Sequence, residues 1–194
     1  MEVYVLLTDT KTTLSKTIGL FTKQSLNHVS ISFDQQLREI YSFGRKKPNN
    51  PFLGGFIREQ INQDLFENAI GAVYRCSVTE EQFQRMKKFV QAIEEERHSY
   101  RYNFIGLFGV LFNQPIKREK AYFCSQFVSA VFQSGDVIIA DKPDMLVTPN
   151  DFINCPHLQL VYEGPICDYP LAHRRTLQKS KGQPSSLNVF SPVG

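Results

Sequence analysis

The sequence predicts an α+β fold, with a mainly antiparallel sheet packed against helices. Two observations predict it. Neighbouring strand-like segments are joined as hairpins, which favours antiparallel pairing, and the helix-like segments cluster together. No glycine-rich phosphate loop follows a predicted strand, which argues against a doubly wound nucleotide-binding fold. The 194 residues suit one domain, expected at 1–170, with a basic, mobile tail at 171–194.

Strand patterns dominate the first half of the chain. His28 begins a strictly alternating stretch in which Val29, Ile31 and Phe33 share one face and His28, Ser30 and Ser32 share the other. Apolar and β-branched runs predict the other strands. The predicted elements here are a strand at 3–7, a helix at 14–21, a hairpin of 28–34 with 37–43, a loop at 44–56 and a strand at 69–78.

Helix signals dominate the second half. Thr79 and Gln82 form a capping-box pattern, and Phe83, Met86, Val90 and Ile93 then recur at helical spacing. Thr148 and Pro149 place a cap and a first-turn proline before another helix. The remaining predicted elements are helices at 104–112 and 123–133, a short strand at 137–140 and a last strand at 158–162.

Charge and composition exclude several classes of function. The formal net charge is +3, but all 19 acidic residues lie within 1–168 with all except four of the basic residues, so the body is close to neutral. A nucleic-acid partner is therefore disfavoured. We expect no signal peptide, because the N-terminus has no basic region and no long apolar run. We expect no transmembrane segment, because the longest apolar run spans about nine residues, against the roughly 20 that cross a bilayer. Four cysteines do not make a disulfide scaffold, which predicts a reducing, cytoplasmic location.

Cys124 is the first candidate for chemistry. It lies where the polar segment 117–120 gives way to an apolar helix. A thiol in the first turn of a helix faces unpaired backbone N–H groups and the positive end of the helix dipole, which stabilise the nucleophilic thiolate. The same N–H groups suit a developing oxyanion. The alternative is that Cys124 is a small hydrophobic residue of the core.

His28 is the second candidate, since it begins a strand on the polar face and suits a general base. The alternative is a surface histidine. A third group usually orients such an imidazole, and Ser42 or Glu39 on the returning strand are the candidates. They lie three positions apart and face opposite sides, so only one of them is expected to face His28.

Two further patterns have weaker support. Cys155, His157, Cys167 and His173 are zinc-ligand types, but their spacing is not a standard zinc pattern, so no metal or other cofactor is expected. The apolar segment Phe104 to Phe112 is interpreted first as core, with an acyl-chain groove or a membrane-dipping patch as alternatives.

Several segments together resemble one family. Asn27-His-Val-Ser-Ile, Tyr102-Asn-Phe-Ile-Gly, Tyr122-Phe-Cys-Ser-Gln-Phe-Val, Thr148-Pro-Asn-Asp-Phe and Val161-Tyr-Glu-Gly resemble circularly permuted papain-like cysteine hydrolases. These are NlpC-related proteins of the YiiX/YaeF-like type, distantly related to the lecithin:retinol acyltransferase group. The resemblance covers about residues 3–165, and the histidine strand precedes the cysteine helix, as in that family.

The resemblance implies a permuted papain-like fold with Cys124 as nucleophile, His28 as general base, Ser42 orienting His28 and the Tyr102 hydroxyl near the oxyanion. Ser42 departs from the family pattern, where this position carries a carboxylate, an amide or a second histidine. A serine cannot stabilise imidazolium by its charge, so Glu39 is the stand-in if the register differs.

The predicted function is thiol-dependent hydrolysis or transfer at an acyl centre. The expected substrate is a peptide, a cell-wall-type fragment or a lipid acyl group. The alternative is a binding module on the same fold, with a vestigial Cys–His pair.

Overall fold

The computed structural model describes residues 1–9, 26–45, 54–61, 66 and 68–169, and these form an α+β architecture. Four α-helices are present in this part of the chain: α1 (Glu80–Glu95), α2 (Phe104–Leu111), α3 (Cys124–Ser134) and α4 (Pro149–Ile153). The strands are β1 (Glu2–Asp9), β2 (His28–Ser32), β3 (Ile40–Arg45), β4 (Gly54–Glu59), β5 (Ile70–Ser77), β6 (Arg101–Tyr102), β7 (Ala121–Tyr122) and β8 (Gln159–Pro165).

The main sheet has six strands in the order β4-β3-β2-β1-β5-β8, and all neighbours are antiparallel. The two short strands β6 and β7 form a separate parallel pair. Because β7 leads directly into α3, this pair sets where α3 begins. The sheet is therefore the mainly antiparallel one that the sequence predicts.

The two faces of the sheet are covered differently. On one face, inward residues of β1 and β2 such as Val5 and Ile31 share a core with α1 and α3. On the other face, Tyr4 and Leu6 pack with Ile40, Val73 and residues beyond β8. The alternation of β2 thus sends Val29 and Ile31 toward the helices, and sends His28, Ser30 and Ser32 to the opposite face.

An aromatic cluster joins the sheet to α3 near the start of that helix. Phe43 is fully buried, and its ring centre lies 5.1 Å from that of Phe127, 5.3 Å from Tyr122 and 5.9 Å from Phe56. Packed rings at these separations contribute both buried area and favourable ring–ring geometry. This cluster fixes α3 against β3 and β4.

Most predicted elements are confirmed, and two predictions are wrong. The capping box at Thr79 and the buried stripe of α1 are present. The predicted loop at 44–56 is wrong at both ends, because β3 runs to Arg45 and β4 begins at Gly54. Residues 137–140 form no strand, since this stretch is an irregular link after α3. The predicted helix at 14–21 and the tail at 171–194 lie outside the described residues.

Phe43→Ala is expected to lower the free energy of unfolding by about 3–5 kcal/mol, because it opens a cavity in a closed aromatic cluster. Phe108→Ala is the matched control: that ring is 60% exposed, and its loss should change stability by less than about 0.5 kcal/mol. Urea unfolding followed by circular dichroism measures both values. Equal losses in the two variants would contradict the packing described here.

Candidate active site

Cys124 is the first residue of α3, and its thiol lies at a helix start that no side chain caps. The N-cap residue, Phe123, is extended (φ −101°, ψ 169°) and offers no oxygen to the first-turn N–H groups. Cys124 is buried but keeps 6% of its surface exposed. The thiol therefore faces the positive end of the helix dipole, together with backbone donors that no side-chain cap occupies.

His28 is the first residue of β2 and lies opposite Thr8 of β1. Its side chain is 13% exposed, so the imidazole is largely shielded from water. It shares its face of the strand with Ser30, as the alternation predicts. The ring is thus held at the beginning of the strand, within a polar set of neighbours.

Glu59 supplies the carboxylate that contacts His28. It is the last residue of β4, two strands away from β2, and its side chain is 3% exposed. The register places Glu59 opposite Ile40, and Ile40 opposite Ser32. Because paired residues point to the same side of a sheet, Glu59 and His28 share one face.

Two side chains, Glu59 and Ser30, surround one ring nitrogen of His28 and also bond to each other. Nε2 lies 2.7 Å from Oε1 of Glu59 and 3.2 Å from the Ser30 hydroxyl oxygen. The Ser30 hydroxyl donates to the other carboxylate oxygen of Glu59 at 2.5 Å. Both oxygens of the buried carboxylate are therefore occupied. With Nε2 committed to Glu59, Nδ1 is the ring nitrogen that remains for the Cys124 thiol.

The electrostatics of the site favour a protonated His28. Burial alone lowers the pKa of an imidazole, but the charge of Glu59, a hydrogen bond to Cys124 and the charge of Cys124 outweigh it and raise the pKa of His28 to about 10. Glu59 and Cys124 thus both favour the charged form of His28.

Ser42 and Glu39, the residues expected to orient His28, have other partners. The Ser42 hydroxyl donates to the Val29 carbonyl oxygen at 2.7 Å, so Ser42 braces β3 against β2. Glu39 is 58% exposed, accepts a hydrogen bond from Tyr41 and pairs with Arg58 at 3.6 Å. Both predictions for the orienting residue are corrected by the geometry, which places Glu59 against the ring.

Tyr102 lies beside the segment that leads to Cys124. Its register partner across the parallel pair is Tyr122, and its ring centre is 4.6 Å from that of Phe104. Gly54 of β4 approaches Tyr102 so closely that an added Cβ would lie 2.6 Å from the Tyr102 Cβ, so only glycine fits there. Tyr102 is thus firmly packed near the site, and the oxyanion role of its hydroxyl stays a prediction.

Two buried amides lie behind the start of α3. The side-chain oxygen of Asn103 accepts a hydrogen bond from the Gly106 N–H at 2.9 Å. The side-chain nitrogen of Asn103 donates to the side-chain oxygen of Gln126 at 3.4 Å. Both side chains are less than 5% exposed. This short relay ties the beginning of α2 to the first turn of α3.

Ser30 and Glu59 are the site residues that sequence reasoning missed as ligands of His28. The signal for Ser30 was present, because the alternation of β2 places it on the histidine face. Glu59 carried a weaker signal, a single carboxylate at the end of the apolar stretch Gly54-Gly-Phe-Ile-Arg-Glu59. Its relation to His28 depends on the register of three strands.

Over the residues that the structure covers, no group of three or more His, Cys, Asp or Glu side chains is arranged to hold a metal ion. Cys155 is buried and Cys167 is exposed, while His173 of the weighed zinc set lies outside those residues. In the same part of the chain, no helix has the length and apolar character to span a membrane.

Comparison with known proteins adds no family assignment. No protein-family model matches the chain, and a search of curated proteins finds no match. The chemical interpretation of the site therefore rests on the contact between Glu59 and His28 and on the place of Cys124 at the start of α3.

Glu59→Gln is expected to lower the pKa of His28 by about one to three units, because the neutral amide no longer stabilises imidazolium. Titration of the histidine ring signals by NMR measures the shift. Glu39→Gln is the matched control, since it removes a surface carboxylate and should leave the His28 titration unchanged. An unaltered His28 titration in Glu59→Gln would contradict the assigned contact.

Protein stability gives a second measurement of the same linkage. A histidine with a raised folded-state pKa contributes stability that is fully present below pH 6.5 and is lost as the pH rises through about 10. The stability advantage of the wild type over Glu59→Gln should therefore be largest near pH 6 and shrink by pH 9.

Proposed function

We propose that this protein is a thiol-dependent hydrolase or acyltransferase in which Cys124 is the nucleophile, His28 the acid–base group and Glu59 the residue that orients His28. One observation carries the proposal. The buried carboxylate of Glu59 contacts one ring nitrogen of His28. The pKa of that ring is also raised by the thiol of Cys124, which lies at an uncapped helix start. Acyl transfer needs a nucleophile, a base beside it and a group that orients the base.

The resting state is an ion pair. The raised pKa of His28 keeps its proton on the imidazole at neutral pH. In this proposal the Cys124 proton is lost to solvent, and the imidazolium and the first-turn N–H groups of α3 stabilise the thiolate, which then attacks without a further proton transfer. This refines the expectation that His28 removes the thiol proton during attack.

Acylation follows from that ion pair. The thiolate of Cys124 forms a bond to the carbonyl carbon of an amide or ester, and the electron pair of the carbonyl moves to oxygen. When the tetrahedral species collapses, the bond to the leaving nitrogen or oxygen breaks, and His28 gives its proton to that atom. The products of this half-reaction are a thioester on Cys124, a neutral His28 and the released amine or alcohol.

Deacylation reverses the roles. The neutral His28 takes a proton from water or from an acceptor alcohol or amine, and the resulting nucleophile attacks the thioester carbon. The carbon–sulfur bond breaks, which returns the thiolate to Cys124 and leaves the imidazolium beside it. Glu59 keeps its contact with His28 and stabilises the ring each time it is charged.

The oxyanion would lie against the first-turn N–H groups of α3. No side chain caps this helix start, so these donors are available to a substrate oxygen. The Tyr102 hydroxyl is the proposed additional donor, because β6 holds Tyr102 beside the strand that leads into Cys124.

A permuted papain-like fold of the NlpC-related type agrees with this site. The histidine strand precedes the cysteine helix, the sheet is mainly antiparallel, and α3 packs against β2 and β3. Glu59 provides the carboxylate whose absence at Ser42 departed from the family pattern. The proposed substrates are peptides, cell-wall-type fragments or lipid acyl groups.

The Glu59 contact also bears on the alternative of a binding module with a vestigial Cys–His pair. That alternative drew its support from Ser42 as a poor partner for imidazolium. The buried carboxylate of Glu59 contacts His28 directly at 2.7 Å, so that argument is removed.

An acyl activity-based probe is expected to modify Cys124 covalently. Mass mapping of the labelled peptide locates the modified sulfur among four cysteines. Cys124→Ser preserves the size of the side chain and should lower turnover of the matching ester or amide by about a thousandfold or more.

Cys155→Ser is the matched control, because it changes a second buried thiol away from His28. The proposal is wrong if probe labelling and turnover persist in Cys124→Ser.

Iodoacetamide should alkylate Cys124 at pH 6, a pH at which an ordinary thiol with a pKa near 8.5 is almost wholly protonated. Cys167 is an internal control, since its thiol is exposed and contacts Asp168. Mass spectrometry over a pH series measures both rates. His28→Gln should abolish the reactivity at pH 6. If Cys124 reacts no faster than Cys167 at pH 6, a catalytic ion pair is absent and the binding-module alternative is favoured.

A further inference from the structure

Helix α2 exposes one side that carries large apolar residues. Its fully buried residues are the glycines Gly106 and Gly109, and Phe104, Leu107 and Val110 pack against the core, whereas its other large side chains point outward. We call these outward residues the α2 patch; they are Ile105, Phe108, Leu111 and Phe112, with 50%, 60%, 44% and 68% of their surface exposed. Positions spaced in this way share one side of a helix. The first interpretation, that the segment is core, is therefore right for one side of α2 and wrong for the side that carries the α2 patch.

The packing of the two glycines fixes this orientation. A Cβ at Gly106 would lie 2.3 Å from the Asn103 amide nitrogen, and a Cβ at Gly109 would lie 2.5 Å from the Gln114 carbonyl oxygen. Neither position accepts a side chain, so the helix cannot rotate its large residues inward. The close packing of Gly106 and Gly109 therefore keeps the α2 patch exposed to solvent.

The size of the α2 patch indicates an interaction surface. Four such side chains, each about half exposed, present on the order of 400 Å² of contiguous apolar area, which is the range in which exposed patches on soluble domains mark binding sites. The cost of leaving this area in water calls for a partner that covers it.

The charges beside the α2 patch favour an anionic partner. Arg101 precedes α2, and Lys117 and Arg118 follow it; all three are exposed. The nearby acids are largely engaged: Glu96 pairs with Lys120 at 2.6 Å, and Asp144 is half-buried with Lys117 acting on its charge. Glu119 is the remaining acid, so the four cations here, Lys120 included, exceed the three acids by one.

Large apolar side chains flanked by cations match the interface of a bilayer that contains anionic lipids. There, apolar residues enter the acyl boundary while cations contact the headgroups. A second copy of this chain fits less well. A symmetric contact through the α2 patch would bring the same cations of both copies toward each other.

From these observations, we propose that the α2 patch docks on the surface of an anionic lipid bilayer, with Phe108 and Phe112 inserted at the headgroup–acyl boundary. The docking does not rest on the proposed catalytic function. It would place the bilayer beside the segment that connects Tyr102 to Cys124, because α2 lies between the paired strands β6 and β7 and β7 runs into α3.

The chain contains no tryptophan, so one introduced tryptophan reports on its own surroundings. Phe112→Trp should show a blue shift and a rise in fluorescence on addition of phosphatidylcholine–phosphatidylserine vesicles. It should show little change with pure phosphatidylcholine. Ile138→Trp is the matched control, because Ile138 is 66% exposed but lies after α3, outside the α2 patch, and should not respond.

Vesicle co-sedimentation of the full chain measures the affinity. Phe108→Ala should weaken binding by about tenfold, since several buried carbons are lost. Lys117→Gln and Arg118→Gln should each weaken binding to anionic vesicles by about fivefold. All of these positions are exposed, so circular dichroism should show unchanged folding. Cys124→Ser should bind as the wild type does, which separates this proposal from the catalytic one.

Three outcomes would overturn the docking proposal. The first is an unchanged Phe112→Trp spectrum with anionic vesicles. The second is equal binding to neutral and anionic vesicles, which would remove the role of the cations. The third is a blue shift that grows with protein concentration in the absence of vesicles, which would identify a second copy as the occupant.

Discussion

The arrangement of the candidate site depends on the buried contact between Glu59 and His28. A carboxylate that is 3% exposed carries a large desolvation cost unless charged or hydrogen-bonding partners compensate for it. His28 and the Ser30 hydroxyl supply that compensation, one at each carboxylate oxygen. The contact joins β4 to β2 across β3. Because Glu59 also raises the pKa of His28, the same contact determines the charge of the ring that faces Cys124.

The sheet and α3 position the candidate site, whereas α2 lies beside it. The face of the sheet that carries His28 and Glu59 is opposite to the face on which α3 packs, so Cys124 meets the imidazole where β2 begins. The aromatic cluster around Phe43 holds α3 in place. Helix α2, which lies between β6 and β7 in the chain, exposes Ile105, Phe108 and Leu111 on its outer side. The candidate site and an exposed apolar surface are thus neighbours in the chain.

Local patterns predicted the local parts of the molecule correctly. The capping box at Thr79 and the alternation of β2 were both readable because each depends on residues a few positions apart. The resemblance implied that Ser42 orients His28, but the Ser42 hydroxyl donates to the Val29 carbonyl oxygen, and Glu59 is the residue that contacts the ring. Strand β4 was missed, because its glycines and the turn residues before it are typical of a loop.

The sequence by itself determined the α+β class, the strand that carries His28, and the helix start that carries Cys124, since these follow from periodicity and from the change from polar to apolar residues within single segments. The tertiary structure decided which carboxylate meets His28 and which side of α2 meets water. Both are outcomes of packing: the first depends on the register across β2, β3 and β4, and the second on the close approach of Gly106 and Gly109 to their neighbours. Neither relation is encoded within any one segment, because each joins residues that only folding brings together.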